Sequence, residues 1–115
     1  MSPSPSNPSD RRRDRRISGV FAIGLNTEQK RDRLGVTRDI SEHGILVVTP
    51  SRFASGEKVA LKVWVGGQEV ETEGHVARVA EHSKESPEVW RYRLAIELDE
   101  PLPAEVLDYA EHNAA

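Results

Sequence analysis

The segment KVALKVWVGGQEVETEGHV (residues 58–76) determines the predicted fold class of this chain. Apolar residues alternate with charged or small ones before Gly66-Gly67, and a similar alternation resumes after it. A period of two is typical of a strand with one buried and one exposed face. A Gly-Gly pair between two such runs predicts a two-residue hairpin turn. The phase slips after Val76, which predicts a bulge in the second strand.

Apolar runs of the same kind recur along the rest of the chain. They predict six strands, at residues 17–26, 33–41, 44–49, 57–65, 68–81 and 89–98. In the second strand, one face is predicted to hold Leu34, Val36, Arg38 and Ile40. Six antiparallel strands in so short a chain fit a small closed barrel, because closure leaves no long exposed sheet edge.

The two ends of the chain differ from this β-rich body. Residues 1–10 are rich in Ser and Pro and predict a disordered leader. Residues 104–112 predict a short helix after Pro103, with a face that covers one mouth of the barrel and comprises Val106, Tyr109 and Ala110. We therefore predict an all-β fold: a six-stranded antiparallel barrel at 11–112 with a short C-terminal helix, a flexible N-terminal leader and a frayed tail at 113–115.

Composition restricts the chemistry available to the chain. With 115 residues and no Cys, it fits one domain without disulfides, thiolate zinc sites or thiol nucleophiles. We predict neither a metal site nor a cofactor, because metal-ligand spacing is lacking among the four His at 43, 75, 82 and 112. Asp39, Ser41 and His43 include the residue types of a nucleophile triad. Residues that alternate along one strand cannot form its relay, so we predict no enzyme activity.

The net charge of −3 conceals an uneven distribution along the chain. Residues 1–38 have a net charge of +5, and residues 39–115 have a net charge of −8. A basic leader on an acidic body predicts a small or local anionic ligand, because the body would repel a long polyanion such as DNA. No apolar run approaches the roughly 18 residues of a membrane span, and no signal sequence follows Met1. We therefore expect a cytoplasmic protein.

An arginine cluster, RRRDRR, lies at residues 11–16. Five of its six residues are Arg and none is Lys. A guanidinium binds phosphate through two parallel donors and also stacks on aromatic bases, whereas a Lys ammonium does not stack in this way. The cluster fits nucleotide recognition. A solvated basic arm that binds polyanions in general explains the same composition equally well.

A second polar segment, DISEHG, lies at residues 39–44. Alternation places Asp39, Ser41 and His43 on one side of a predicted strand, opposite Ile40. An Asp carboxylate can accept two N–H bonds from the Watson–Crick edge of guanine, and a Ser hydroxyl beside it can donate or accept. Gly44 lets a ligand approach the backbone closely. The segment also fits an ordinary strand end with an Asx or Ser turn and a positive φ at Gly44.

Together, the two segments resemble the PilZ domain family, bacterial receptors for the second messenger cyclic diguanylate (c-di-GMP). Arg12 and Arg16 match its Arg-x-x-x-Arg motif, and its Asp-x-Ser-x-x-Gly motif is matched by Asp39, Ser41 and Gly44. The resemblance covers about residues 11–100 and implies the same small barrel with a short C-terminal helix.

The register of the first motif is not unique, because Arg11 and Arg15 have the same spacing. We prefer Arg12 and Arg16, since Ile17 then begins the first strand directly. One departure from the family lies in the last strand, where Ala95 stands at a position that is often Gly.

The resemblance implies a c-di-GMP site between the leader and the barrel surface. In it, Arg12 and Arg16 bind the phosphates and contact guanine, and Asp39 and Ser41 read a guanine edge. Gly44 holds the turn, and binding orders the leader.

Three further residues extend the implied site. An Arg directly before the first motif, here Arg11, implies an intercalated pair of ligand molecules, so two per chain are expected. His43 and Arg15 are expected to flank the ligand.

The resemblance also implies a signalling role that acts through contact. We expect a monomer whose ligand-bound surface is recognised by an unidentified downstream protein, in a process such as motility or biofilm formation. Two alternatives remain open: a PilZ-like protein-interaction module of pilus or motility systems that binds no nucleotide, and a basic-arm nucleic-acid binder. Under the receptor hypothesis, neither DNA nor a membrane span is expected.

Overall fold

The structure, a computed structural model, describes residues 15–114. The predicted leader and Ala115 lie outside the described residues. Between them, the chain forms seven strands and one helix: β1 (Arg16–Ser18), β2 (Ala22–Asn26), β3 (Arg33–Ser41), β4 (Gly44–Thr49), β5 (Lys58–Val65), β6 (Gln68–Glu81), β7 (Tyr92–Leu98) and α1 (Ala104–Asn113).

Six strands close into an antiparallel barrel in the order β3-β2-β5-β6-β7-β4, with β4 pairing back onto β3. The extra strand, β1, pairs with the end of β3. The predicted six-stranded barrel with a C-terminal helix is therefore confirmed. The predicted first strand, 17–26, is divided in two. Its halves pair with different parts of β3, because residues 19–21 leave the ladder where Thr37 bonds to Gly19 and Phe21.

The core follows the predicted period of two in β5 and β7. Val59, Leu61, Val63 and Val65 are buried along β5, and the same is true of Leu94, Ile96 and Leu98 in β7. Helix α1 packs on this core through Leu107 and Ala110. The expectation that Tyr109 faces the barrel is wrong, because its side chain is 42% exposed and Leu107 takes the buried position.

Strand β3 contains a bulge that reverses part of the predicted pattern. The register with β4 shifts between Thr37 and Asp39, so Arg38 is the extra residue. Before the bulge, the inward side chain is Thr37, and Leu34 is 60% exposed; after it, Ile40 is buried. The prediction that Leu34, Val36, Arg38 and Ile40 share one face is therefore wrong.

Strand β6 contains the bulge that the sequence predicts. Its register with β7 shifts between Val76 and Arg78, and Ala77 is the unpaired residue. The hairpin between β5 and β6 turns at Gly66 and Gly67, both with positive φ (56° and 81°), a conformation that favours Gly. Within residues 15–114, no helix is long and apolar enough to cross a membrane, and no cluster of three His, Asp or Glu side chains could hold a metal ion.

Candidate functional site

Pairing of β1 with β3 brings the end of the arginine cluster beside the second motif. Arg16 lies opposite Ser41, and Ser18 lies opposite Asp39. Directly opposed residues of an antiparallel pair project to the same face, and the intervening Ile17 is buried. The side chains of Arg16, Ser18, Asp39 and Ser41 therefore share the outer surface of the barrel.

Hydrogen bonds hold the polar side chains of the second motif in place. The Ser18 hydroxyl donates to Asp39 Oδ1 over 3.1 Å. The Ser41 hydroxyl donates to the Gly44 carbonyl over 3.0 Å and accepts from the Gly44 N–H over 3.2 Å. Ser41 thus closes the turn between β3 and β4, while one edge of the Asp39 carboxylate is held by a single exposed hydroxyl that a ligand donor could displace.

Gly44 is required here for space rather than for its backbone angle. Its φ is not positive, so the alternative of a left-handed turn at this residue is wrong. A Cβ at position 44 would lie 3.0 Å from the Ile96 carbonyl oxygen, which is tighter than an ordinary contact. The turn that ends at Gly44 therefore packs directly against β7. His43, which was expected to flank the ligand, is exposed at the tip of this turn.

Arg15 points away from this surface. Its guanidinium forms ion pairs with Asp108, over 3.1 Å, and with Glu111, both on α1. The hydrogen bonds to Glu111 and Asp108 raise the pKa of Arg15 further above its usual value. The side chains of these adjacent arginines thus point in opposite directions. Arg15 contacts α1, and Arg16 lies on the outer surface with Asp39 and Ser41. Two other predicted ligand residues, Arg11 and Arg12, lie outside the described residues.

A second ion pair next to the motif is one that sequence reasoning missed. Arg38, the bulged residue before Asp39, donates from Nη2 and Nε to the two Glu88 oxygens over 2.7 and 3.1 Å. The hydrogen bond from Arg38 lowers the pKa of Glu88. Glu88 lies in the β6–β7 connection, 50 residues from Arg38, and no local pattern links residues so far apart.

The barrel surface beside Asp39 is apolar, and we call its two residues, Leu46 and Ala95, the floor of the site. Leu46 of β4 lies opposite Asp39, and Ala95 of β7 lies opposite Leu46. Both residues are half-buried. A partly apolar surface therefore extends from the polar motif across two strands.

An open depression of about 1180 Å³ lies at a different end of the barrel, between the β2–β3 and β4–β5 connections. Its wall includes Lys30, which pairs with Glu57 over 2.9 Å. The Ala54 N–H and Lys30 lower the pKa of Glu57. The depression includes no residue of either predicted motif, and its opposing charges neutralise each other across the wall. We therefore place the candidate site on the outer face of β1, β3 and β4.

Comparisons with known proteins agree with this architecture. The model of the PilZ domain family matches residues 10–111. The PilZ domain with c-di-GMP of YcgR from Escherichia coli has a similar fold, with a TM-score of 0.67, 16% identity, and coverage of 90% of this chain and 88% of that one. The Bacillus subtilis inhibitor of motility MotI/DgrA has a TM-score of 0.65 and 21% identity over 84% of this chain. The match spans 46% of MotI, about half of its length. No curated protein sequence matches significantly.

Proposed function

Because the chain belongs to the PilZ domain family, we propose that it is a c-di-GMP receptor rather than an enzyme. The observation that supports the proposal most is the pairing of β1 with β3, which sets Arg16 opposite Ser41 and Ser18 opposite Asp39. Arg16, the described end of the first motif, thereby lies on one face with the second motif, although the two are separate in sequence.

The proposed ligand matches the chemistry of these side chains. Arg12 and Arg16 bind the phosphates and stack on or hydrogen-bond guanine, with Arg11 supplying a third guanidinium. The Asp39 carboxylate accepts from the N–H groups of a guanine edge, and binding exchanges the Ser18 hydroxyl for these donors. Ser41 and Gly44 shape the turn beside the base. The ion pairs of Arg15 with Asp108 and Glu111 on α1 support the Arg12–Arg16 register of the motif, because they draw Arg15 away from Asp39.

Signalling follows from two contacts at the end of the arginine cluster. Arg15 is paired with Asp108 and Glu111 on α1, and Arg16 lies next to the ligand site. A ligand that pulls the arginine cluster onto the barrel changes the surface formed by the leader and α1. A downstream protein then recognises that changed surface.

The test is a calorimetric titration of the full chain with c-di-GMP, with GTP and cyclic di-AMP as controls. We expect saturable, guanine-specific binding that Arg16→Ala and Asp39→Ala each abolish. Arg31→Ala removes an exposed cation from the β2–β3 connection and should bind as the wild type does. Circular dichroism checks that each variant is folded.

The same titration measures the stoichiometry. Two ligand molecules per chain are expected from the third arginine, Arg11, and a value near one would contradict an intercalated pair. Binding that persists in both Arg16→Ala and Asp39→Ala would refute the proposed site. Affinity that falls steeply with salt and does not distinguish c-di-GMP from long DNA would instead identify a basic-arm nucleic-acid binder.

A second candidate function, a protein-interaction module that binds no nucleotide, is favoured by an exposed apolar face. Val20 is 61% exposed, Leu34 60% and Trp64 37%. Trp64 and Leu34 lie on one outer face, since Trp64 pairs with Ala22 and Leu34 pairs with Gly24, two residues further along β2. An absence of c-di-GMP binding to the wild-type chain, with capture of a partner that Leu34→Asp abolishes, would support this function.

A further inference from the structure

The bulge in β6 places an arginine on the same outer face as the candidate site. Before the bulge, Val76 points into the core opposite Ile96. After it, Arg78 lies opposite Ala95 and is exposed, while Val79 packs against the core opposite Leu94. In a regular strand without this bulge, the period of two would turn Arg78 inward like Val76.

Arg78 and Asp39 belong to one row of cross-strand neighbours and are separated in it by two apolar residues. The row crosses the barrel surface through these directly paired residues: Ser18, Asp39, Leu46, Ala95 and Arg78. Three strand spacings of roughly 4.8 Å separate the backbones of Asp39 and Arg78 by about 14 Å. An arginine side chain that leans back over Ala95 shortens this gap to a span that a dinucleotide can bridge and a single base cannot.

The floor between Asp39 and Arg78 is better suited to a base than to a phosphate. Leu46 and Ala95 are apolar and half-buried. A phosphate placed against them would lose water without gaining a donor, whereas the flat face of a purine buries apolar area there. The methyl side chain of Ala95 keeps this floor low next to Arg78.

The guanidinium of Arg78 is available to a ligand. Among residues 15–114, it forms no ion pair or side-chain hydrogen bond, in contrast to Arg38 and Arg91, which are held by Glu88 and Glu81. The Arg78 guanidinium therefore presents its N–H donors to solvent next to Ala95, at the end of the apolar floor away from Asp39.

We propose that Arg78 is a specificity-determining residue that donates two hydrogen bonds to O6 and N7 of the second guanine of the bound dinucleotide. This inference rests on the proposed c-di-GMP site, in which Asp39 reads one guanine and the leader arginines bind the phosphates. Paired donation from Arg to O6 and N7 distinguishes guanine from adenine, because adenine presents an amino donor at the position of O6.

The experiment compares c-di-GMP with its analogue in which both bases are 7-deazaguanine, which lacks the N7 acceptor. Both ligands are titrated into the full wild-type chain, Arg78→Ala, Arg78→Lys and the control Arg31→Ala. We expect Arg78→Ala to weaken c-di-GMP binding by roughly tenfold to a hundredfold. We also expect the wild type and Arg31→Ala to bind the analogue more weakly than c-di-GMP, and Arg78→Ala to bind both equally.

Arg78→Lys keeps the charge and loses the fork, so it should resemble Arg78→Ala in its indifference to N7. Wild-type affinity in Arg78→Ala would overturn the inference, with the c-di-GMP site left intact. If Arg78→Ala instead weakened both ligands by the same factor, it would keep the wild-type preference for c-di-GMP over the analogue. That result would also overturn the inference, because Arg78 would then act on the phosphates. A wild-type chain that binds neither ligand would overturn the proposed function and this inference together.

Discussion

Thr37 fixes residues 19–21, the segment that directly follows Arg16 and Ser18, and replacing it with Val should loosen that segment. Its side chain is fully buried at the point where β1 ends and β2 begins. The hydroxyl accepts from the Phe21 N–H over 2.9 Å and donates to the Gly19 carbonyl over 2.7 Å. Thr37→Val preserves the shape of the side chain and removes both bonds.

The expected cost follows from the two backbone groups left without a partner. A buried, unsatisfied group costs about 1–3 kcal/mol. The Phe21 N–H is buried and the Gly19 carbonyl is only partly buried, so Thr37→Val should lower the free energy of unfolding by about 2–4 kcal/mol. Thr37→Ser is the matched control, since it keeps the hydroxyl and loses one buried methyl, at about 1 kcal/mol. Since small domains unfold at roughly 5–15 kcal/mol, the Val variant should remain folded with a clearly reduced margin.

Urea unfolding followed by tryptophan fluorescence measures the difference. We expect the midpoint for Thr37→Val to lie about 1–2 M below that of the wild type, with Thr37→Ser between them. Hydrogen exchange at the Phe21 amide should accelerate in Thr37→Val, and affinity for c-di-GMP should fall, because Ser18 and Arg16 are held beside the site through this segment. Equal stability of the Val and Ser variants would refute the reasoning.

Two further predictions concern the barrel wall and its response to acid. Gly74→Ala should strongly destabilise the barrel, because the added Cβ would overlap the Glu97 carbonyl of the paired strand; a wild-type thermal midpoint would contradict this. The lowered pKa of Glu88, caused by Arg38, means that the pair stabilises the fold above about pH 4.5, the unfolded value. That stability is lost as the pH falls through the lower folded pKa. The stability gap between wild type and Glu88→Gln should therefore narrow in acid; a constant gap would exclude the linkage.

The β fold could be predicted because its signals are local. The Gly66-Gly67 turn and the alternation in β5 lie within a few residues of each other, and each encodes its own geometry. The β6 bulge is predictable for the same reason, since a slip in period is a local property of the sequence. The assignment of Asp39, Ser41 and Gly44 to a ligand site remains a prediction that rests on residue type, spacing and the resemblance to the family.

The errors came from contacts between distant parts of the chain. The bulge at Arg38 leaves no slip in the apolar pattern, because Val36 and Leu34 lie on an exposed apolar face that looks like a core face. The predicted first strand, 17–26, is divided because its two halves, β1 and β2, pair with different segments of β3. The buried face of the helix contains Leu107 rather than the predicted Tyr109. The shape of the barrel mouth, and not the helix sequence itself, determines which side of the helix is buried.

For this protein, the sequence alone determined the barrel class, the hairpin turn and the residue types at the candidate site. These properties depend on backbone preference and short-range periodicity. Only the tertiary structure decided that Arg15 turns to α1 while Arg16 faces Ser41, that Glu88 holds Arg38, and that Arg78 completes a row with Asp39. Those relations depend on strand register around a closed barrel, and register is set by the packing of the whole core rather than by any one segment.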